Sequence, residues 1–243
     1  MALRGQVAVV TGGARGVGRA IATSFAREGA KLGLVDLDAE RLAKTAGELR
    51  DLGAEVLAVT ADVSNEDDVR RLMRQVVDTY GRLDVQVNNA GIATHGAWVA
   101  PWPSIRDMDQ SFWDRVVQTN LGGTFLCTKH ALEYMRPRRS GHIISLYGGG
   151  DVKRPGTCVY MVTKEAIRTF TRFVAEEERD ANICILVVNP GAAIATEDAP
   201  EEVRKSMPGP DYIGNGFVQA AEAGMDMSGQ LYTAAGGQLK PLA

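Results

Sequence analysis

Short apolar runs alternate with amphipathic stretches along the chain. Residues 6–10, 32–35, 56–59, 85–87, 142–146, 183–188 and 230–234 are short, apolar and rich in β-branched side chains, which predicts strands. Between them lie longer segments with apolar positions three or four apart. Leu42, Ala46 and Leu49 share one face of a segment spanning 40–52, and Val69, Leu72, Met73 and Val76 share one face of 67–80. Further helices are predicted over 16–28, about 112–135 and 159 to about 180. Strands that alternate with helices predict an α/β fold, a parallel sheet with helices on both faces. About seven strands are expected. No linker, repeat or low-complexity tract interrupts residues 1–243, so the pattern predicts one domain.

The first strand runs into Thr11-Gly12-Gly13-Ala14-Arg15-Gly16-Val17-Gly18. A turn that brings backbone N–H groups against a diphosphate has no room for Cβ atoms, and the next helix points its positive end at the phosphates. Gly12, Gly16 and Gly18 suit that turn, and their position between strand and helix predicts a doubly wound, Rossmann-type sheet. Asp36 ends the second strand. Its carboxylate can accept hydrogen bonds from adenosine ribose hydroxyls and would repel a 2′-phosphate. Arg15 points the other way, because it can pair with such a phosphate. Asp36 stands directly at the ribose and Arg15 can turn to solvent, so NAD is expected over NADP. Asp38 is the expected N-cap of the next helix.

Composition narrows the partners. The formal net charge is −3, which argues against nucleic-acid binding. The longest uncharged stretch, 86–105, is full of Asn, Gly and Pro and reads as loop rather than membrane span. The N-terminal residues show no signal-peptide pattern, and no membrane association is expected. Cys127, Cys158 and Cys184 lack metal-ligand spacing and read as reduced thiols of a cytoplasmic protein, with no metal site.

Tyr160 and Lys164 lie four apart at the start of a predicted helix and share a face. A free phenol is a poor base at neutral pH. An ammonium about 4 Å away stabilises the phenolate by about 4 kcal/mol at an effective dielectric near 20. Before desolvation costs, that is about three orders of magnitude in acidity.

The glycine turn, Asp36, Asn88-Asn89-Ala90-Gly91, Tyr160 with Lys164, and Asn189-Pro190-Gly191 occur in this order. Together they resemble the short-chain dehydrogenase/reductase family, from about residue 7 to 237. The resemblance implies that Gly12, Gly16, Val17 and Gly18 lie at the diphosphate, with Arg15 a further cofactor-binding residue of the turn. It places Asp36 at the adenosine ribose with Leu37 also cofactor-binding, Asp62 and Val63 at the adenine, and Asn89, Ala90 and Gly91 along the cofactor. Tyr160 would exchange the proton, and Lys164 would lower its pKa and bind the nicotinamide ribose. Pro190, Gly191 and Thr196 would hold the nicotinamide end. Asn120, unfavourable in mid-helix, would anchor a proton-relaying water; the alternative is a helix kink beside Gly122-Gly123, and the relay is favoured because a kink does not need Asn. The implied function is an NAD-dependent interconversion of a secondary alcohol and a ketone by a homodimer or homotetramer built on the two long helices. The alternatives are a cofactor-binding sensor or scaffold without turnover, and a lyase or isomerase on the same scaffold.

The chain departs from the family where a serine usually ends the strand before the tyrosine. Counting back from Tyr160 lands on Tyr147; counting forward from Gly141 lands on Gly148. Strand parity puts Ser145 and Tyr147 on one face, so Tyr147 is the first candidate for the missing hydroxyl, Ser145 the second, and no replacement the third. The segment 94–103 is longer than usual. His95, Trp98 and Trp102 can wall a substrate pocket, or the tryptophans can staple the loop to the body. The stretch 196–210 is short for a substrate lid. His130 and His142 read as surface or packing residues, and Cys158 as a small buried thiol.

Overall fold

The computed structural model describes residues 1–93, 102–148, 156–192, 194, 199–209 and 211–242. Its strands are β1 (Val7–Thr11), β2 (Lys31–Asp36), β3 (Val56–Thr60), β4 (Val85–Asn88), β5 (Gly141–Leu146), β6 (Ile183–Asn189), β7 (Leu231–Thr233) and β8 (Lys240–Pro241). They form one sheet in the order β3-β2-β1-β4-β5-β6-β7-β8. Every pairing is parallel except β7 with β8. The strand order reverses between β1 and β4, which opens a crevice at the carboxyl ends of the strands.

The helices are α1 (Gly16–Arg27), α2 (Ala39–Asp51), α3 (Glu66–Tyr80), α4 (Gln110–Val117), α5 (Gly123–Met135), α6 (Cys158–Glu177), α7 (Glu201–Ser206) and α8 (Asp211–Ala221). Alternate strand residues feed opposite cores. Ala8 and Val10 pack with Ile21, Phe25, Leu42, Leu49 and Phe217. Val7 and Val9 pack with Val69, Leu72, Met73 and Val76 on the other face. Asp38 caps α2 as expected, accepting from Arg41 N at 3.0 Å.

Several elements differ from the sequence expectation, the short helix α7 within the stretch read as a lid among them. The helix over 112–135 is interrupted by a π-helical turn, Gln118–Gly122, with Asn120 buried at its centre. Helix α8 carries Gly214 and Gly216, which weaken the helical signal; packing of Ile213 and Phe217 into the core outweighs them. Strand β8 adds a short antiparallel edge.

At the amino ends of β1 and β4, away from the crevice, the Asp84 carboxylate accepts from Val7 N at 2.9 Å, from Arg82 and from Arg138. Burial alone would raise this carboxyl; the bonds from Arg82, Val7 N and Arg138 hold it below its usual range. Among the described residues, no helix is long and apolar enough to cross a membrane.

Candidate active site

The glycine turn is built by close approach. A Cβ on Gly18 would lie 2.1 Å from Gly12 O, and one on Gly12 would lie 2.7 Å from Asn89 Nδ2 and 3.0 Å from Ala90 Cα. Asn89 holds the turn from beneath, since its Nδ2 donates to Thr11 O at 2.8 Å and to Gly12 O at 3.1 Å. Thr11 Oγ1 accepts from the N–H groups of Asn89 and Ala90, both at 3.0 Å. Arg15 is the exposed N-cap residue of α1 and makes no side-chain cap bond, and the first turn of α1 has no acidic residue. A helix start of this kind suits an anionic group.

Asp36 is fixed at the same place. Its Oδ2 accepts from Ala14 N at 3.1 Å and its Oδ1 from Asp38 N at 3.2 Å. Leu37 beside it is exposed. Asp62 is partly buried and accepts from Ser64 N and Oγ at 2.8 and 2.7 Å. The Val63 side chain is buried, and a Cβ on Gly123 would sit 2.7 Å from its Cγ2. Pro190 and Gly191 follow β6, and Gly191 N donates to Asn189 Oδ1 at 2.8 Å. Thr196, His95 and Trp98 lie outside the described residues.

Asn120 clips the segment after β4 to α6. Its Oδ1 accepts from Ile92 N at 2.7 Å, while its Nδ2 donates to Ile92 O at 3.0 Å and to Thr163 Oγ1 at 3.1 Å. Thr163 Oγ1 in turn donates to Tyr160 O at 2.7 Å. The Asn120 carbonyl accepts from Thr124 Oγ1 at 2.7 Å. Asn120 thus sits in a helix distortion and uses both ends of its amide for bracing. Nothing in the sequence pattern marks Thr163 as its partner.

Tyr160 stands in the first turn of α6, partly buried, and Lys164 lies one turn on, buried beneath it. Lys164 Nζ donates to Leu146 O at 2.9 Å and lies 5.6 Å from the centre of the Tyr160 ring. Burial pushes the Lys164 ammonium down to about 8. Burial, with a smaller contribution from the neighbouring Tyr147, pushes the Tyr160 phenol up to about 12. The sequence argument has the ammonium drawing the phenol down; here burial, and then Tyr147, push it up instead.

The hydroxyls expected to replace the family serine are both engaged elsewhere. Ser145 is buried, and its Oγ accepts from Asn88 Nδ2 at 3.2 Å, which also donates to Thr128 Oγ1 at 3.1 Å. Tyr147 is buried, and its phenol donates to the Glu165 carboxylate. Burial, then Glu165, pushes the Tyr147 phenol up to about 12. Gly148 is the residue that faces Tyr160: a Cβ there would lie 2.0 Å from the Tyr160 Oη and 3.3 Å from its Cζ. The general acid/base candidate therefore rests on backbone that carries no side chain.

Trp102 is described, and its ring meets Phe112 edge to face at 4.9 Å. It staples its segment to α4. Cys158 is exposed, contrary to the expected buried thiol, because it opens α6; Cys127 and Cys184 are the buried ones. His130 is buried with a carboxylate 2.9 Å from each ring nitrogen, Glu133 on one side and Glu66 on the other. His142 lies 3.0 Å from Ala223 O, and burial pushes its pKa down. Both are packing residues.

A doubly wound sheet, a glycine turn at the start of α1 and an acid ending β2 define the class of nicotinamide dinucleotide-binding α/β proteins. The chain belongs to the short-chain dehydrogenase family, whose sequence model matches residues 6–205. It is 36% identical over 195 residues to 2-(S)-hydroxypropyl-CoM dehydrogenase 3 of Xanthobacter autotrophicus, covering 80% of this chain and 74% of the relative. It is 36% identical over 191 residues to 3beta-hydroxysteroid dehydrogenase 2 of Eggerthella lenta, covering 78% of this chain and 71% of the relative. Among solved structures, a short chain dehydrogenase from Burkholderia cenocepacia in complex with NADP superposes with a TM-score of 0.84 at 25% identity, covering 98% of this chain and 99% of that one.

Proposed function

We propose that this chain is an NAD-linked oxidoreductase that interconverts a secondary alcohol and a ketone, with Tyr160 as the proton-transfer group. The observation that carries the reading is the placement of Tyr160 over Lys164 at the carboxyl end of β5, with its hydroxyl against Gly148, on the same side of the sheet as the glycine turn that ends β1. In reduction the Tyr160 phenol gives its proton to the carbonyl oxygen as negative charge develops there; in oxidation its phenolate takes the alcohol proton. Lys164 favours the phenolate through its charge, and its bond to Leu146 O fixes the ammonium under the ring. A bound nicotinamide dinucleotide would supply or accept the hydride.

The residues present fit such a group. Gly12, Arg15, Gly16, Val17 and Gly18 would receive the diphosphate, with Asn89 bracing the turn. Asp36 would accept from the adenosine ribose hydroxyls, and Asp62, Val63, Pro190 and Gly191 would frame the two ends. The fixed Asp36 carboxylate supports NAD over NADP, since a second negative charge there is repelled. The neighbour from Burkholderia cenocepacia holds NADP, so the preference needs its own measurement. Phe125, Val162 and Phe173 expose apolar side chains on α5 and α6, which supports a homodimer or homotetramer formed through these helices. The substrate is a small-molecule alcohol or ketone, and the compartment is the reducing cytoplasm.

Tyr160→Phe tests the reading. Turnover should fall by about 10²–10⁴ while NADH binds as tightly as to the wild type. Undiminished turnover overturns the assignment. One observation favours a second reading, a coenzyme-binding protein without turnover. Tyr147 and Ser145 are both engaged elsewhere, so neither hydroxyl is left to face a substrate oxygen beside Tyr160. Tight NADH binding with no oxidation of it across a broad ketone panel would support that reading.

A further inference from the structure

Three consecutive residues where β5 ends each meet a different residue near the start of α6. The Leu146 carbonyl accepts from Lys164 Nζ at 2.9 Å. The Tyr147 phenol donates to the Glu165 carboxylate. Gly148 lies against the Tyr160 hydroxyl, so close that a Cβ there would stand 2.0 Å from Oη. The first and third contacts belong to the Tyr160–Lys164 pair already described. The middle one does not, and Glu165 is otherwise an exposed residue of α6. Tyr147 is buried. Its backbone N–H donates to Val188 O at 3.0 Å, and it packs with Val187 and Leu231. A buried phenol keeps its place only while its hydroxyl has a partner, and Glu165 is that partner. Glu165 follows Lys164 in the chain and so leaves the helix about 100° round from it. One helical turn thus grips the strand end twice, with the ammonium on Leu146 O and the carboxylate on Tyr147. Tyr147 also lies near enough to Tyr160 to push that phenol up. The Arg168 guanidinium draws the Tyr147 phenol down, but by less than Glu165 raises it.

We propose that Glu165 is a positioning residue for proton transfer: it holds the Tyr147 phenol and, through the adjoining Gly148, sets where the Tyr160 hydroxyl stands. The effect on turnover rests on the oxidoreductase reading; the effect on the Tyr160 phenol rests on these contacts alone. Without the carboxylate, the Tyr147 hydroxyl must turn toward water. The strand end then loosens from α6, Gly148 draws off the Tyr160 Oη, and water reaches that phenol. A solvated phenolate forms more readily, but its oxygen is no longer held at one point for the reacting carbonyl.

The test uses Glu165→Ala, Glu165→Gln and Tyr147→Phe. Glu165 is exposed and phenylalanine keeps the packing of Tyr147, so all three should fold. With NADH and a panel of butanone, cyclohexanone and acetophenone, Glu165→Ala and Tyr147→Phe should each lower kcat about tenfold. KM and NADH affinity should match the wild type. Glu165→Gln still offers Tyr147 a carbonyl acceptor and should recover most of kcat. Ultraviolet difference titration, each chain against the same chain carrying Tyr160→Phe, reads the phenol without turnover. The wild-type phenol is pushed up to about 12; in Glu165→Ala it should titrate about one pH unit lower, and in Glu165→Gln it should stay in place. An unmoved titration in Glu165→Ala, or a glutamine variant as impaired as the alanine one, would overturn the proposal. A wild type that reduces none of the ketones would count against the oxidoreductase reading, and the titration would still decide whether Glu165 positions Tyr160.

Discussion

The glycine-turn side of the crevice and the Tyr160 side are assembled by different kinds of contact. On the first, Asn89, Thr11 and Asp36 direct their side chains at backbone groups of neighbouring turns. The turn is thereby rigid before anything binds. On the second, Tyr147 is spent on Glu165 and Ser145 on Asn88, side chain on side chain, and only Lys164 turns to backbone, at the Leu146 carbonyl. A diphosphate needs backbone N–H groups and room, which glycine provides locally. A reacting oxygen needs a charged or hydroxyl partner at one point in space, and that depends on side chains far apart in sequence.

The contrast makes graded predictions. Lys164→Met should cost most, about 10²–10³ in turnover, with NADH affinity much less affected. It should also change the pH dependence of stability. Lys164 has its pKa lowered from 10.5 to about 8 by burial. The unfolded chain therefore holds more protons between those values, and wild-type stability rises with pH across that window. The methionine variant should lack this rise in thermal scans. Asp84→Asn acts at the amino ends of β1 and β4 and should cost about 3 kcal/mol at neutral pH, with no change in coenzyme preference. The Asp84 pKa is held below 3.8 in the folded chain, so its contribution is present above that pH and is lost as pH falls through the lowered value. The stability gap in urea titrations should close in acid.

Asp36→Ala should shift the NADPH-to-NADH affinity ratio about ten- to hundredfold toward NADPH; no shift would mean that this carboxylate does not face the ribose. Gly148→Ser is the smallest and sharpest. It adds a hydroxyl at one of the two positions where counting places the family serine, yet turnover should fall about tenfold, because the new Cβ occupies the place of the Tyr160 Oη. A gain in turnover would show that the two sides of the crevice are less different than their contacts suggest.

The strands and most helices were legible because burial on both sheet faces writes a period into the chain. The glycine turn, Asp36 and the Asp38 cap were legible because each serves neighbours close in sequence. Glu165 as the partner of Tyr147 was not, since a carboxylate on the solvent side of a helix carries no mark of the strand end it reaches. The π-helical turn at Asn120 was hidden for a similar reason: its cause lies in bonds to Ile92 and Thr163. The direction of the Tyr160 shift was missed because a spacing reveals the ammonium but not the depth of burial. Counting from Gly141 reached Gly148, but only the fold shows that the phenol rests against it.

The central claim is that the phenol of Tyr160 becomes an acid/base when a nicotinamide ring lies beside it. Ultraviolet difference titration of the wild type against Tyr160→Phe isolates this phenol, with and without saturating NAD. The positively charged ring of oxidised NAD should bring its pKa down from about 12 toward neutrality. A phenol that still titrates near its bare-chain value with NAD bound would contradict the account.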